Sequence, residues 1–351
     1  PLLIRQAVPG IVPPVARAEL FALAARDDVE SRLVQHKGGQ WRLRHGPLKE
    51  RQLPGVKTPA WTLLVQGIDL HVDAAHELLT RFRFVPDARL DDLMVSYASD
   101  GGGVGPHFDS YDVFLLQVQG RRRWRIGRMN DAALVPDVPL KILANFEAEE
   151  EWLLEPGDML YLPPRWAHDG VAEGECMTCS IGFRAASRDE VGAEVLQRLL
   201  DAEESAATGT LYRDAAQSAT DAPGRIPSTL QSFASEAVSR LVESPKALAR
   251  ALGEWLSEPK PLVCFDPGSA LPAAAGLRLD RRTRMLYDDD HLFINGESYR
   301  AAGPDAALMR QLADQRGLPA AQWRRASDEA NALIQDWAQA GWLHPIDEEK
   351  P

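Results

Sequence analysis

The sequence predicts a mainly β core of the double-sheet jelly-roll or small-barrel class, then a helical region, then a small mixed unit of strands and helices. Three observations predict it. Between Asp92 and Phe183 short β-rich runs follow one another closely, with no long amphipathic helix between them. After Arg184 the spacing of apolar residues turns helical. From about Leu277 brief strand-like runs come first and two helical stretches follow.

Taken in order, residues 14–26 have helical spacing, with Leu20, Leu23 and Ala24 on one side, and 30–34 begin a strand. Residues 61–67 are β-rich and end in glycine, and 72–84 place Ala75, Leu78, Leu79 and Phe82 at helical spacing until Pro86. Core strands are predicted at 93–98, 113–118, 121–127, 151–155, 159–162 and 177–183. Gln119-Gly120 reads as a tight hairpin between two of them, and Pro156-Gly157-Asp158 as a further turn. A helix is predicted over 189–204, a linker rich in Ala, Ser, Thr, Gly and Asp over 205–227, and amphipathic helices over 233–241 and 246–256. The last unit has strands at 285–287, 291–295 and 297–300, helices at 306–316 and 327–341, and a strand-like Trp342-Leu343. That order resembles a winged helix. The expected division is 1–204 with its β core at 92–184, a helical region at 205–275, and the winged-helix-like unit at 276–351.

A chain of 351 residues has room for two or three domains. No apolar run approaches the roughly 20 residues that span a bilayer, so no membrane partner is expected. The first residues lack a basic-then-apolar secretory pattern, and three cysteines make no disulfide framework; a cytoplasmic protein is the expectation. A net charge of -12 repels nucleic acid and attracts a basic partner. In residues 276–351 Lys and Arg number 10 against 13 Asp and Glu, which speaks against DNA binding there.

The chemistry centres on Gly101-Gly102-Gly103-Val104-Gly105-Pro106-His107-Phe108-Asp109. In extended backbone residues i and i+2 share a face, so His107 and Asp109 reach one metal ion from a short piece of chain. His168, after a buried strand and a proline turn, is the best third ligand. Two imidazoles and one carboxylate on one side of an ion are the signature of non-heme Fe(II) oxygenases. In 121–126 the strand period puts Arg122 with Trp124 and Ile126 on an apolar face, and Arg121, Arg123 and Arg125 on the solvated one. A guanidinium inside a barrel needs an anionic partner, either a protein carboxylate or a dicarboxylate ligand. Ser96, Thr178 and Ser180 offer hydroxyls to such a ligand or to the backbone. Asp100, Tyr111 and Asp112 lie near the mouth as candidate substrate contacts. Cys176 and Cys179 face opposite sides of a strand, and His36, His45, His71, His76, His291 and His344 have no ligand-like company.

These motifs, with Tyr111-Asp112-Val113-Phe114, Gly120-Arg121-Arg122-Arg123-Trp124-Arg125, and 156–164 running on to His168, closely resemble the bacterial JmjC-type ribosomal oxygenases of the cupin superfamily. The resemblance implies a double-stranded β-helix catalytic domain, a helical dimerisation region and a C-terminal winged helix. It implies Fe(II) and 2-oxoglutarate, with His107, Asp109 and His168 as iron ligands and Arg122 holding the far carboxylate. It implies hydroxylation of a side chain on a large-subunit ribosomal protein, an arginine at its β-carbon in the closest bacterial members and a histidine in others, by a homodimer. Relatives carry Ser where this chain has Ala98, so Ser96 or Thr178 would substitute. The rival readings are a cupin isomerase or dioxygenase that needs no 2-oxoglutarate, and a ligand-sensing cupin fused to a DNA-binding winged helix.

Overall fold

The computed structural model describes residues 1–204, 210–215, 218–300 and 302–346. Parts of the predicted linker (205–209 and 216–217) and of the last unit (301 and 347–351) lie outside the described residues. The chain forms two compact units, Pro1–Ala185 and Ala186–Pro351.

The first unit contains β1 (Leu2–Ile4), α1 (Arg17–Leu23), β2 (Ser31–Lys37), β3 (Gln40–His45), β4 (Trp61–Val65), α2 (Asp73–Thr80), β5 (Leu90–Ala98), β6 (His107–Phe108), β7 (Val113–Arg128), β8 (Glu150–Leu154), β9 (Met159–Leu162) and β10 (Trp166–Phe183). One antiparallel path runs β1-β9-β7-β10-β5-β4-β2-β3, with β6 on β10 and β8 on β7. Strand alternation sorts the side chains. Leu93, Val95 and Tyr97 of β5, Leu116 and Val118 of β7, and Met177, Cys179 and Ile181 of β10 pack with α1 and α2 into one buried cluster. Asp92, Met94 and Ser96, Val113 and Leu115, and Ser180 and Gly182 turn the other way and line a cavity. Tyr97 anchors the first layer, its ring 5.1 Å from Phe21 edge-on and 5.0 Å from Trp61.

The predicted hairpin at Gln119-Gly120 is not there. β7 runs straight through it, and both halves pair with the same neighbour: Gln119 with Met177 and Arg121 with Glu173. A hairpin would have paired the halves with each other. Gly120 adopts φ +62, and a Cβ on it would sit 2.1 Å from the Glu175 carbonyl oxygen. The glycine serves a bulge and a close backbone approach, for which the sequence signal is the same. β10 likewise begins at Trp166, well before the predicted 177, with Gly174 at φ +76 in its bend.

The second unit contains α3 (Arg188–Glu204), α4 (Ser228–Leu241), α5 (Pro245–Ser257), β11 (Gly276–Leu279), β12 (Met285–Tyr287), β13 (Leu292–Ile294), β14 (Glu297–Tyr299), α6 (Gly303–Gln315), β15 (Gly317–Leu318), α7 (Ala320–Trp323), α8 (Asp328–Gln339) and β16 (Leu343–Ile346). Two three-stranded sheets, β15-β11-β16 and β12-β13-β14, share a core of Leu277, Ile294, Leu312, Ile334 and Trp337. Asp280 is bound there by Arg282 Nε at 2.8 Å and by His344 Nε2 at 2.7 Å. α4 buries none of its residues; Leu230 and Val238 on it are exposed. Among the described residues no helix is long and apolar enough to cross a membrane.

Candidate metal centre

β6 and β10 set two imidazoles opposite each other, since His107 and His168 are directly paired across the strands. Their ring centroids are 4.3 Å apart. Gly103 allows this placement: a Cβ on it would meet the Gly170 carbonyl oxygen at 2.6 Å, so the glycine loop lies against the β10 backbone. Asp109 follows in the same loop, and its carbonyl accepts the Arg165 N–H at 2.7 Å, joining the two ligand-bearing segments. One donor atom each from His107, Asp109 and His168 falls within 4.8 Å of the others, and His168 Nε2 lies 3.7 Å from Asp109 Oδ2.

Each imidazole is steered by a carbonyl two residues upstream. His107 Nδ1 donates to Gly105 O at 2.9 Å, and His168 Nδ1 to Trp166 O at 3.0 Å. That leaves both Nε2 lone pairs facing the centre, the usual second contact of a metal-bound histidine. Burial, reinforced by nearby His107, pushes His168 down to about 3, so its ring is neutral. Burial pushes Asp109 up, against the opposing pull of His107, Tyr111 and Arg32. A crowded carboxylate beside two imidazoles is a donor set that a divalent ion with open positions fits.

The centre opens on a cavity of about 460 Å³ lined by β2 to β5, β7, β10 and residues 139–141. Arg122 lies in its wall and is 4% exposed. Trp124 and Ile126 are buried with it, while Arg121, Arg123 and Arg125 face outward and pair with Glu173, Glu151 and Asp169. Arg122 Nη1 donates to Ser96 Oγ at 3.0 Å and to Thr178 Oγ1 at 3.3 Å. Its Nε has no partner, and among the described residues no carboxylate pairs with it. A buried guanidinium held by two hydroxyls and the face of Trp124, 5.5 Å away, fits an anionic ligand.

The predicted residues separate by position. Ser96 and Ser180 line the cavity, whereas Thr178 sits behind Arg122 and donates to Gln117 Oε1 at 2.8 Å. Tyr111 lies on the rim, 40% exposed. Asp100 is absent from the lining; its carboxylate accepts the Gly174 N–H at 2.7 Å. Asp112 is also outside it, accepting from Tyr161 Oη at 2.8 Å and pairing with Arg89 at 3.2 Å.

The chain matches the JmjC domain family over residues 77–191 and the ROXA-like winged helix over 240–344. It is 32% identical to the ribosomal protein uL16 3-hydroxylase of Escherichia coli, across 95% of this chain and 90% of that relative. The chain belongs to the JmjC-type ribosomal oxygenases. Another relative, the probable ribosomal oxygenase of Haemophilus influenzae, is 40% identical over 52% of this chain and 46% of its own length. The X-ray structure of Escherichia coli ycfD, at 29% identity, superposes with a TM-score of 0.86 over 98% of this chain and 94% of that one. A structure of YcfD in complex with cobalt and 2-oxoglutarate, at 29% identity, gives 0.82 over 99% and 94%. In this ribosomal oxygenase Ala98 is fully buried, and the Ser96 hydroxyl two residues earlier meets Arg122. Sequence reasoning missed Gln117, which holds Thr178, and the cavity residues Arg32, Asp92 and His45. Arg32 and Val34, two residues apart on β2, face the cavity together, but β2 is buried on both faces and its period gives no contrast that marks them.

Proposed function

We propose that this chain uses Fe(II), dioxygen and 2-oxoglutarate to hydroxylate an arginine side chain, at its β-carbon, on a basic large-subunit ribosomal protein in the cytoplasm. One observation carries the reading: a His-Asp-His set opens on the same cavity as a buried arginine that has no protein counter-charge. The uL16 3-hydroxylase name of the Escherichia coli relative supports the substrate class. His107 and His168 would hold iron through Nε2 and Asp109 through a carboxylate oxygen; the bound metal supplies the activation of dioxygen. Arg122 grips the far carboxylate of 2-oxoglutarate, and Ser96 and Thr178 fix the guanidinium for that contact. Ser180 borders the cosubstrate. Trp124, Val113 and Leu115 supply an apolar wall that limits water around the reacting carbon. Tyr111, with Asp100 and Asp112 on the surrounding loops, meets the incoming basic chain, which the overall charge of -12 attracts.

The unburied apolar side of α4, with Leu230 and Val238, supports a homodimer in which a second copy covers it. Sedimentation should give a dimer, and Val238→Asp should shift it toward monomer. The acidic balance of 276–351 supports a winged helix that does not bind nucleic acid.

The deciding experiment incubates the purified chain with Fe(II), 2-oxoglutarate and recombinant large-subunit proteins. Tandem mass spectrometry should place a single-oxygen increment on an arginine Cβ, with matching succinate. An increment on histidine would assign the sister activity, and succinate at background would remove the hydroxylase reading.

A further inference from the structure

We infer that Arg32 is the second anion-binding residue of the cavity and takes the carboxylate of the cosubstrate that lies beside the metal. The inference rests on the 2-oxoglutarate reading above. Arg32 projects from β2 into the cavity with Val34, and its Nε is enclosed without a hydrogen-bond partner. Among the described residues it forms no ion pair. The outward arginines of β7 behave differently, each matched to a carboxylate. A shielded guanidinium nitrogen left unpaired is costly to keep, and among the described cavity residues Arg122 Nε is the other one in that condition.

The register relates the two. Arg32 pairs with Leu64, Leu64 with Ser96, and Ser96 with Thr178, so one row of the sheet carries Arg32 and both hydroxyls that hold Arg122. Two strand spacings, about 10 Å, separate the Arg32 and Ser96 backbones. Long side chains from both ends of that interval reach over one cavity and leave room for a short dicarboxylate between them. Arg32 lines the same cavity as His107, Asp109 and His168, so its side chain shares the space onto which the metal set opens. With Arg122 on the far carboxylate, the near one falls to Arg32, bidentate geometry suiting a guanidinium.

The test is calorimetric titration of the full-length chain loaded with Mn(II) under anaerobic conditions. The ligands are 2-oxoglutarate and 4-oxopentanoate, which keeps the ketone and the far carboxylate but carries a methyl in place of the near one. Arg32→Gln should weaken 2-oxoglutarate about 10- to 100-fold, the range of a lost charge-assisted contact, and leave 4-oxopentanoate within about twofold. Arg32→Lys should recover part of the loss. Arg122→Gln should weaken both ligands. Unchanged 2-oxoglutarate binding in Arg32→Gln, or an equal loss for both ligands, overturns the assignment while leaving the oxygenase reading intact. Failure of the wild type to bind 2-oxoglutarate overturns both. Near-ultraviolet circular dichroism checks that each variant folds.

Discussion

In the role proposed for it, Arg122 would serve the ligand at the expense of the fold. Its guanidinium is taken out of water and receives two hydroxyl contacts and the face of the Trp124 ring, 5.5 Å away, in return, with no carboxylate among them. A hydrophobic side chain of similar length in its place should not lower the stability of the free protein, because replacing a poorly compensated buried charge is often neutral or stabilising by 1–4 kcal/mol as an order of magnitude, roughly. Arg122→Met is therefore expected to keep or raise the thermal midpoint of the apoprotein while losing 2-oxoglutarate affinity by about 10- to 100-fold. Thermal denaturation and ligand titration on one preparation check both halves; a large drop in midpoint would show that Arg122 holds the barrel together. Several of these side chains were legible in the sequence. His107 and Asp109 share a spacing that has one geometric meaning in extended chain, and Arg122 stands out because its strand neighbours alternate so clearly. Arg32 was not legible, because β2 buries Ser31, Leu33 and Val34 on both faces and offers no contrast against which a charge stands out. Thr178 and Ser180 share a side, as alternation requires, but their different depths depend on the bulge beside Met177, which composition does not reveal.

At the level of elements, β7 and β10 carry the site. Each is a single long strand with a glycine at positive φ in its bend, and together they hold Arg122, His168, Thr178 and Ser180. Gly120→Ala should be severe. The left-handed backbone resists a side chain, and the added carbon would meet the Glu175 carbonyl, which is backbone and cannot swing aside. A loss of about 2–4 kcal/mol is expected, measurable by urea unfolding, whereas Gly174→Ala, where a Cβ meets nothing within 4 Å, should cost about 1 kcal/mol. Equal costs would remove the close approach as the reason for the glycine. The positions of most strands followed from their apolar runs, and the helices from their period. What the sequence text could not distinguish was a turn from a bulge, since both call for glycine and only the partner strand decides between them.

On the scale of the whole molecule, the chemistry of the first unit and the charge pairing of the second respond to different conditions. Burial disfavours ionised Asp280, but Arg282 and His344 outweigh it and hold the carboxyl at about 2. Its folded value is thus below the ordinary 3.8, so the stabilisation is complete above about pH 4 and is lost as pH falls toward 2. Asp280→Asn should flatten that part of the acid-unfolding curve of the second unit, seen by Trp337 and Trp342 fluorescence; an unchanged curve would assign the acid response elsewhere. The charge balance was legible from composition alone, while the pairing of Asp280 with His344 joins residues too far apart in sequence to be seen there. The first unit holds a further consequence. Because Gly105 and Trp166 fix the ring orientations within three-residue spans, the ligating nitrogens are aimed before any ion arrives. A socket prepared in that way trades one divalent ion for another without refolding. Chelated protein should accordingly recover full occupancy on simple mixing, and the identity of the ion it carries will follow the supply in its surroundings.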